Sequence, residues 1–221
     1  KLLGKNGTII IEIQYLLNTL KDLTFDNIYH EHYNYWSLTS LVNFFNQFDA
    51  KIFRSEKINT HGGSLRIYIK KDKKVKIENS VKKMLKDEEK YGIKKFKTYQ
   101  DFGKKVYKIR ENVIKNLKNL KENNKLVIGY GAPAKATTLM HHFGIGPNII
   151  NVIIDDSKWK QNLYTPGMHI PIVSKDYLRE NSVDYILILA WNFASSIIEN
   201  NSDFKAAGGK FIVPLPELKV F

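Results

Sequence analysis

The chain has 221 residues, 43% hydrophobic and 26% charged, with no cysteine and a formal net charge of +13. That composition excludes a disordered tail, and the lack of thiols excludes disulfides and any zinc site built on cysteine. No apolar run approaches the roughly 18–20 residues of a membrane span, and no basic start with a long apolar block marks a signal peptide, so a cytoplasmic protein is expected.

In chain order, a strand is expected over 8–13, after a turn at Gly4-Lys5-Asn6-Gly7. The start at Lys1, so close to this strand, reads as a fragment or a trimmed chain. Ser37 suits the N-cap of a helix over 38–48, with Leu38, Leu41, Val42 and Phe45 on one face. Residues 51–58 and 64–70 alternate like two strands around the turn at Gly62-Gly63.

Residues 75–124 read as helix. Tyr99, Phe102, Val106, Ile109, Val113, Leu117 and Leu120 follow the three-four spacing of a buried stripe. Thr98 with Asp101 resembles a capping box, and Gly92 breaks off a shorter helix before it. The long helix is expected to be a strut between two lobes. Much of the lysine excess lies here, which tempts a nucleic-acid reading. Only four of the 35 basic residues are arginine, however, namely Arg54, Arg66, Arg110 and Arg179. Arginine is the usual bidentate reader of phosphates and guanines, so a solvated helix face is the better reading and no nucleic-acid partner is expected.

Residues 125–221 read as an α/β unit. Strands are expected over 125–128, 149–154, 170–173, 185–190 and 211–213, with helices from the glycine turn to about His142 and over 193–200. Strands alternating with helices imply a parallel sheet.

Three clusters could carry chemistry. Gly129-Tyr130-Gly131-Ala132-Pro133-Ala134 fits a G-x-G-x-x-A turn between strand and helix. Its glycines let backbone approach a diphosphate, the helix start offers N–H groups, and Lys135 adds a cation. Asp155 or Asp156, at the end of the next strand, stands where such folds hold a ribose. A tight turn without a ligand is the alternative. Tyr29-His30-Glu31-His32 crowds two imidazoles, a carboxylate and a phenol together. A general acid–base cluster is the favoured reading; His-x-His metal ligation, without an evident third ligand, and a core histidine with satisfied hydrogen bonds are the others. Two histidines spaced in this way share a face on a strand but not on a helix. His61-Gly62-Gly63-Ser64 is either a hairpin turn or part of a site. His141 and His142 are read as structural, at a helix end.

Four stretches together resemble the bacterial sugar C-methyltransferase family. They are Phe25-Asp26-Asn27-Ile28-Tyr29-His30-Glu31-His32, followed by Tyr35, Ser37 and Leu38; His61-Gly62-Gly63-Ser64-Leu65-Arg66; Gly129-Tyr130-Gly131-Ala132-Pro133-Ala134-Lys135; and Pro166-Gly167-Met168-His169-Ile170-Pro171-Ile172. The resemblance runs in order over nearly the whole chain. It implies S-adenosylmethionine-dependent methylation at carbon 3 of a nucleotide-linked 4-keto-deoxysugar. It implies three parts: a zinc-binding N-terminal domain, a class I methyltransferase domain, and a C-terminal Rossmann-like domain. On that basis residues 1–74 are the C-terminal part of the methyltransferase domain, 75–124 a helical linker, and 125–221 a Rossmann-like domain for the sugar nucleotide. The zinc domain and the methyl-donor site are expected to be absent from this sequence, and no metal or cofactor is expected in the chain itself.

Carried over by motif, the catalytic cluster is Tyr29, Glu31 and His32. His32 is nominated as base, Glu31 orients it or shares its proton, and Tyr29 binds the sugar or its enolate oxygen. His30, His61, Gly129, Tyr130, Gly131, Ala132, Lys135 and Asp155 are expected on the substrate. The competing reading is an NAD-dependent oxidoreductase or nucleotide-binding module, resting on the same glycine turn.

Overall fold

The computed structural model describes residues 4, 7–59, 63–72 and 74–221. The chain divides into two compact units, one comprising Lys1–Thr24 and His32–Gly103, the other Phe25–Glu31 and Lys104–Phe221. Among the described residues no helix is long and apolar enough to cross a membrane.

The first unit contains β1 (Ile9–Gln14), α1 (Leu16–Asp22), α2 (Leu38–Asn46), β2 (Lys51–Ile58), β3 (Ser64–Lys70) and α3 (Asn79–Tyr91). The strands form an antiparallel sheet in the order β1-β3-β2. Period-two patterning sets its register. Leu65, Ile67 and Ile69 lie opposite Ile13, Ile11 and Ile9 and join Tyr15, Leu17 and Leu38 in the core. Arg66 alternates with them and donates to Glu12 at 2.7 Å, while the Tyr68 hydroxyl donates to Glu56 at 3.1 Å. The two strand ranges expected around Gly62-Gly63 are the ranges found, although Gly62 itself lies outside the described residues.

Ser37 caps α2 as expected. Its Oγ accepts from the Ser40 amide at 3.0 Å, and Ser40 Oγ accepts from the Ser37 amide at 3.1 Å. A second cap comes from α3. Glu88 is fully buried and accepts from the amides of Leu38 at 2.7 Å and Thr39 at 2.8 Å. A carboxylate at the positive end of a helix satisfies amides that have no partner within the helix.

The long helix α4 runs over Phe96–Glu122. It begins two residues before Thr98, so the expected capping box at Thr98 and Asp101 does not form. Gly92 ends α3 in the left-handed region at φ 84°. That sharp reversal lets the next helix start at once, and the Thr98 hydroxyl donates back to the Gly92 carbonyl at 2.8 Å. Asp101 instead meets Lys97 at 3.0 Å. Val106, Val113 and Leu117 of the expected stripe are buried, whereas Tyr99 is exposed.

The second unit continues with β4 (Val127–Tyr130), α5 (Ala134–Phe143), β5 (Ile153–Ile154), β6 (Ile172–Val173), α6 (Tyr177–Glu180), β7 (Tyr185–Ile188), α7 (Ala194–Asn200), α8 (Ser202–Ala206), β8 (Lys210–Val213) and β9 (Lys219–Val220). The sheet order is β6-β5-β4-β7-β8-β9. It is parallel from β6 to β8, with β9 antiparallel at the edge. The strand expected over 149–154 is reduced to two residues, because the amides of Ile149 and Ile150 turn back to the Gly146 carbonyl. Ile128, Ile154, Ile186, Ile188 and Phe211 form the core, as strands covered on both faces require.

Asp184 ties the starts of β4 and β7. It accepts from the Leu126 amide at 2.9 Å and from Lys125 at 2.9 Å. The Lys125 hydrogen bond, then that from Leu126, holds its carboxyl below the usual carboxylate range. A depressed folded pKa adds stability above the unfolded value, and that stability is lost as pH falls through the folded value. Asp184→Asn is therefore expected to lower the melting temperature by about 2–4 °C at neutral pH. The difference should shrink once melts are run below the ordinary value of 3.8.

Candidate functional site

The glycine turn is built by close packing. A Cβ on Gly129 would lie 2.7 Å from Ile153, and one on Gly131 would lie 2.6 Å from Ala190. Gly131 also takes φ +86°, which glycine adopts without strain. Pro133 stands at the N-cap of α5. The turn's amides are engaged within the chain. Gly131 donates to the Ile154 carbonyl at 2.7 Å and Ala132 to Asp155 Oδ2 at 2.7 Å. Asp155 also accepts from the Ser157 amide at 2.9 Å and lies 3.3 Å from Lys160. Tyr130 is buried and donates its hydroxyl to Asp156 at 2.8 Å. Burial pushes that hydroxyl's pKa up to about 12.

The second part of the site is the segment Phe25–Glu31, which belongs to the same unit as α5. Phe25 packs on the rings of His142 at 5.0 Å and Phe143 at 5.4 Å. Asp26 lies 3.5 Å from Lys135 and accepts from the Trp191 indole N–H at 2.6 Å. The Thr138 hydroxyl donates to the Ile28 carbonyl at 3.3 Å. Lys135, Thr138 and His142 follow helical spacing, so the segment lies along one face of α5.

Beyond Ile28 the chain forms a turn over 29–31, neither strand nor helix, which sets aside both face arguments made for His30 and His32. The Tyr29 hydroxyl donates to Glu31 at 3.1 Å, and the Tyr29 and His30 rings meet edge-on at 5.7 Å. His30 and Glu31 are exposed, and His32 follows half-buried. His61 lies outside the described residues. Among the described residues, no three histidine, aspartate or glutamate side chains gather so as to hold a metal.

On the opposite face of α5 a cleft of about 190 Å³ is lined by Pro133, Ala136, Thr137, Lys160, Tyr164 and Ile172, among others. Ala132 of the glycine turn reaches it as well. Its size falls below the roughly 300–1,000 Å³ of a drug-sized site, so it takes only part of a large ligand.

Residues 59–216 match the family model described as the C-methyltransferase C-terminal domain. The chain belongs to that family. It is 35% identical over 222 residues to the C-methyltransferase NovU of Streptomyces niveus, covering 99% of this chain and 52% of that protein. The chain thus spans about half the length of the curated relative it matches.

In this member of the C-methyltransferase family the structure brings Gly129, Tyr130, Gly131, Ala132 and Asp155 together at one turn, and Tyr29, His30 and Glu31, which precede the matched residues 59–216, at another. Lys135 faces the Phe25–Glu31 segment through Asp26. Expected at a diphosphate, its ammonium instead lies against Asp26 and 4.4 Å from the Trp191 ring centroid. Sequence reasoning gave no role to Asp26, quoted only as part of the Phe25–His32 stretch, or to Trp191. Nothing local marks either residue, since their partners lie far along the chain.

Proposed function

We propose that this chain serves S-adenosylmethionine-dependent C-methylation of a nucleotide-linked 4-keto-deoxyhexose at carbon 3, and that its own residues carry the deprotonation half. The observation that carries this reading is the Phe25–Glu31 segment, docked on α5 and presenting the hydrogen-bonded Tyr29 and Glu31, with His32 the next residue in the chain. Membership of a C-methyltransferase family and the name of the relative support it.

The ketone at carbon 4 acidifies the proton on carbon 3. A neutral His32 imidazole takes that proton, and the C–H electron pair moves toward the carbonyl, leaving an enolate. Glu31 orients His32 or shares the proton, and the Tyr29 hydroxyl stabilises the enolate oxygen or holds the sugar. S-adenosylmethionine supplies the methyl group. The glycine turn does not fit that donor, because its Gly131 and Ala132 amides are already bonded within the chain, so no donor-binding role falls to it.

The nucleotide carrier is assigned to the cleft beside Ala132, with Gly129, Tyr130, Gly131 and Asp155 holding the turn that forms its edge. His30 and His61 are assigned to the sugar side. Calorimetric titration with thymidine diphosphate, with NAD as control, tests this. Binding of the thymidine nucleotide alone is expected. Binding of NAD alone would promote the oxidoreductase reading, and heat from neither would remove the cleft as the nucleotide site.

A further inference from the structure

The sheet of the second unit grows outward in both directions from β4, with β5 and β6 on one side and β7 and β8 on the other. In doubly wound sheets, the crevice beyond the strand ends at such a switch point is where ligands sit. Here the side chains that follow those central strands, Lys135 after β4 and Trp191 after β7, close on the chain's own Asp26. Asp26 is fully buried. Its Oδ2 receives the Trp191 indole N–H at 2.6 Å and lies 3.5 Å from the Lys135 ammonium. Its Oδ1 has no hydrogen-bond partner among the described residues.

This arrangement is a poor source of stability. Burial is the largest influence on both charged groups, raising the Asp26 carboxyl and lowering the Lys135 ammonium, and their mutual attraction opposes it. Replacing a buried ion pair of this kind with apolar side chains is often neutral or stabilising. Its value is directional. Phe25, packed on His142 and Phe143, and the Thr138 hydroxyl on the Ile28 carbonyl also hold the segment, but neither contact carries a charge.

We infer that Asp26 is a positioning residue, whose seat between Lys135 and Trp191 at the switch point fixes the turn over 29–31, which carries Tyr29 and Glu31, for proton abstraction. The inference rests on the deprotonation reading above.

The test uses the full-length protein and a thymidine-diphosphate-linked 4-keto-deoxyhexose, following exchange of the carbon-3 proton in deuterium oxide. Asp26→Leu/Lys135→Met removes both buried charges and leaves apolar volume. Its melting temperature is expected to stay within a few degrees of wild type. The kcat for exchange should fall about 100-fold, as expected for reacting groups displaced by an ångström, with KM nearly unchanged. Asp26→Asn/Lys135→Met keeps an oxygen for the indole N–H and should recover to within about ten-fold of wild type.

Wild-type exchange by the folded Leu/Met protein, or a loss carried by KM alone, overturns the inference. If that protein does not fold, Trp191→Phe removes only the N–H and is judged by the same split of kcat from KM. If wild type itself exchanges no proton, the deprotonation reading falls. Positioning is then judged by the NMR amide signals of residues 29–31 in Trp191→Phe. Shifted or broadened signals support it, and unmoved signals overturn it.

Discussion

His32→Ala is expected to slow exchange of the carbon-3 proton by roughly 10²–10⁴-fold, the usual contribution of a positioned general base. The assay is deuterium incorporation into the 4-keto sugar nucleotide, followed by NMR. It isolates proton abstraction from methyl transfer, so it reads only the half assigned to this chain. Glu31→Gln and Tyr29→Phe should each lose less. Glu31 is assigned to orient the base and Tyr29 to a single hydrogen bond, and the two are already 3.1 Å apart without substrate. Sugar-nucleotide affinity should change little in His32→Ala, because the cleft lined by Pro133, Thr137 and Tyr164 is built by other residues. Unchanged exchange in His32→Ala would exclude it as the base and leave His30, exposed in the same stretch, as the next histidine to test.

Glu88→Ala should be the most damaging of the stability variants. The fully buried carboxylate accepts from two backbone amides at the start of α2 and from the Thr39 hydroxyl at 2.5 Å. Removing it strands those donors away from water and takes a negative charge from the positive helix end. Loss of such a cap and of charged hydrogen bonds is expected to destabilise by about 2–4 kcal/mol. At this chain length that corresponds to a fall in melting temperature of very roughly 5–15 °C. Glu88→Gln should fall between, since it keeps one acceptor oxygen but sets an NH₂ group against a donor. Ser37→Ala makes a useful comparison. It removes an Oγ that, among the described residues, bonds the Ser40 side chain and amide, and should cost about 1 kcal/mol. A Glu88→Ala melt no lower than that of Ser37→Ala would show that the buried carboxylate is not a principal cap.

Much of the secondary structure was legible because its causes are local. Alternation over 51–58 and 64–70 requires only near neighbours, and so does the Ser37 cap. The stripe at Val106, Val113 and Leu117 is written at helical spacing. Boundaries shifted where a turn at a helix end did not follow the side-chain pattern. Lys125 closes the end of α4 through its amide, so β4 starts at Val127 and not two residues earlier. Gly92 enabled a start for α4 that the Thr98 pattern did not suggest.

The site divides along the same line. Sequence by itself determined which side chains carry titratable chemistry, since Tyr29, His30, Glu31 and His32 are adjacent in the chain. It also determined where a strand must turn sharply into a helix, because Gly131 needs a backbone conformation that L side chains rarely adopt. Only the tertiary structure decided what those residues face. It turned Asp155 onto the Ala132 amide and Tyr130 onto Asp156, and it placed Lys135 against Asp26. The physical reason is burial. A charged or polar atom removed from water must find a partner, and which partner is within reach depends on how strands and helices far apart in the chain are packed together.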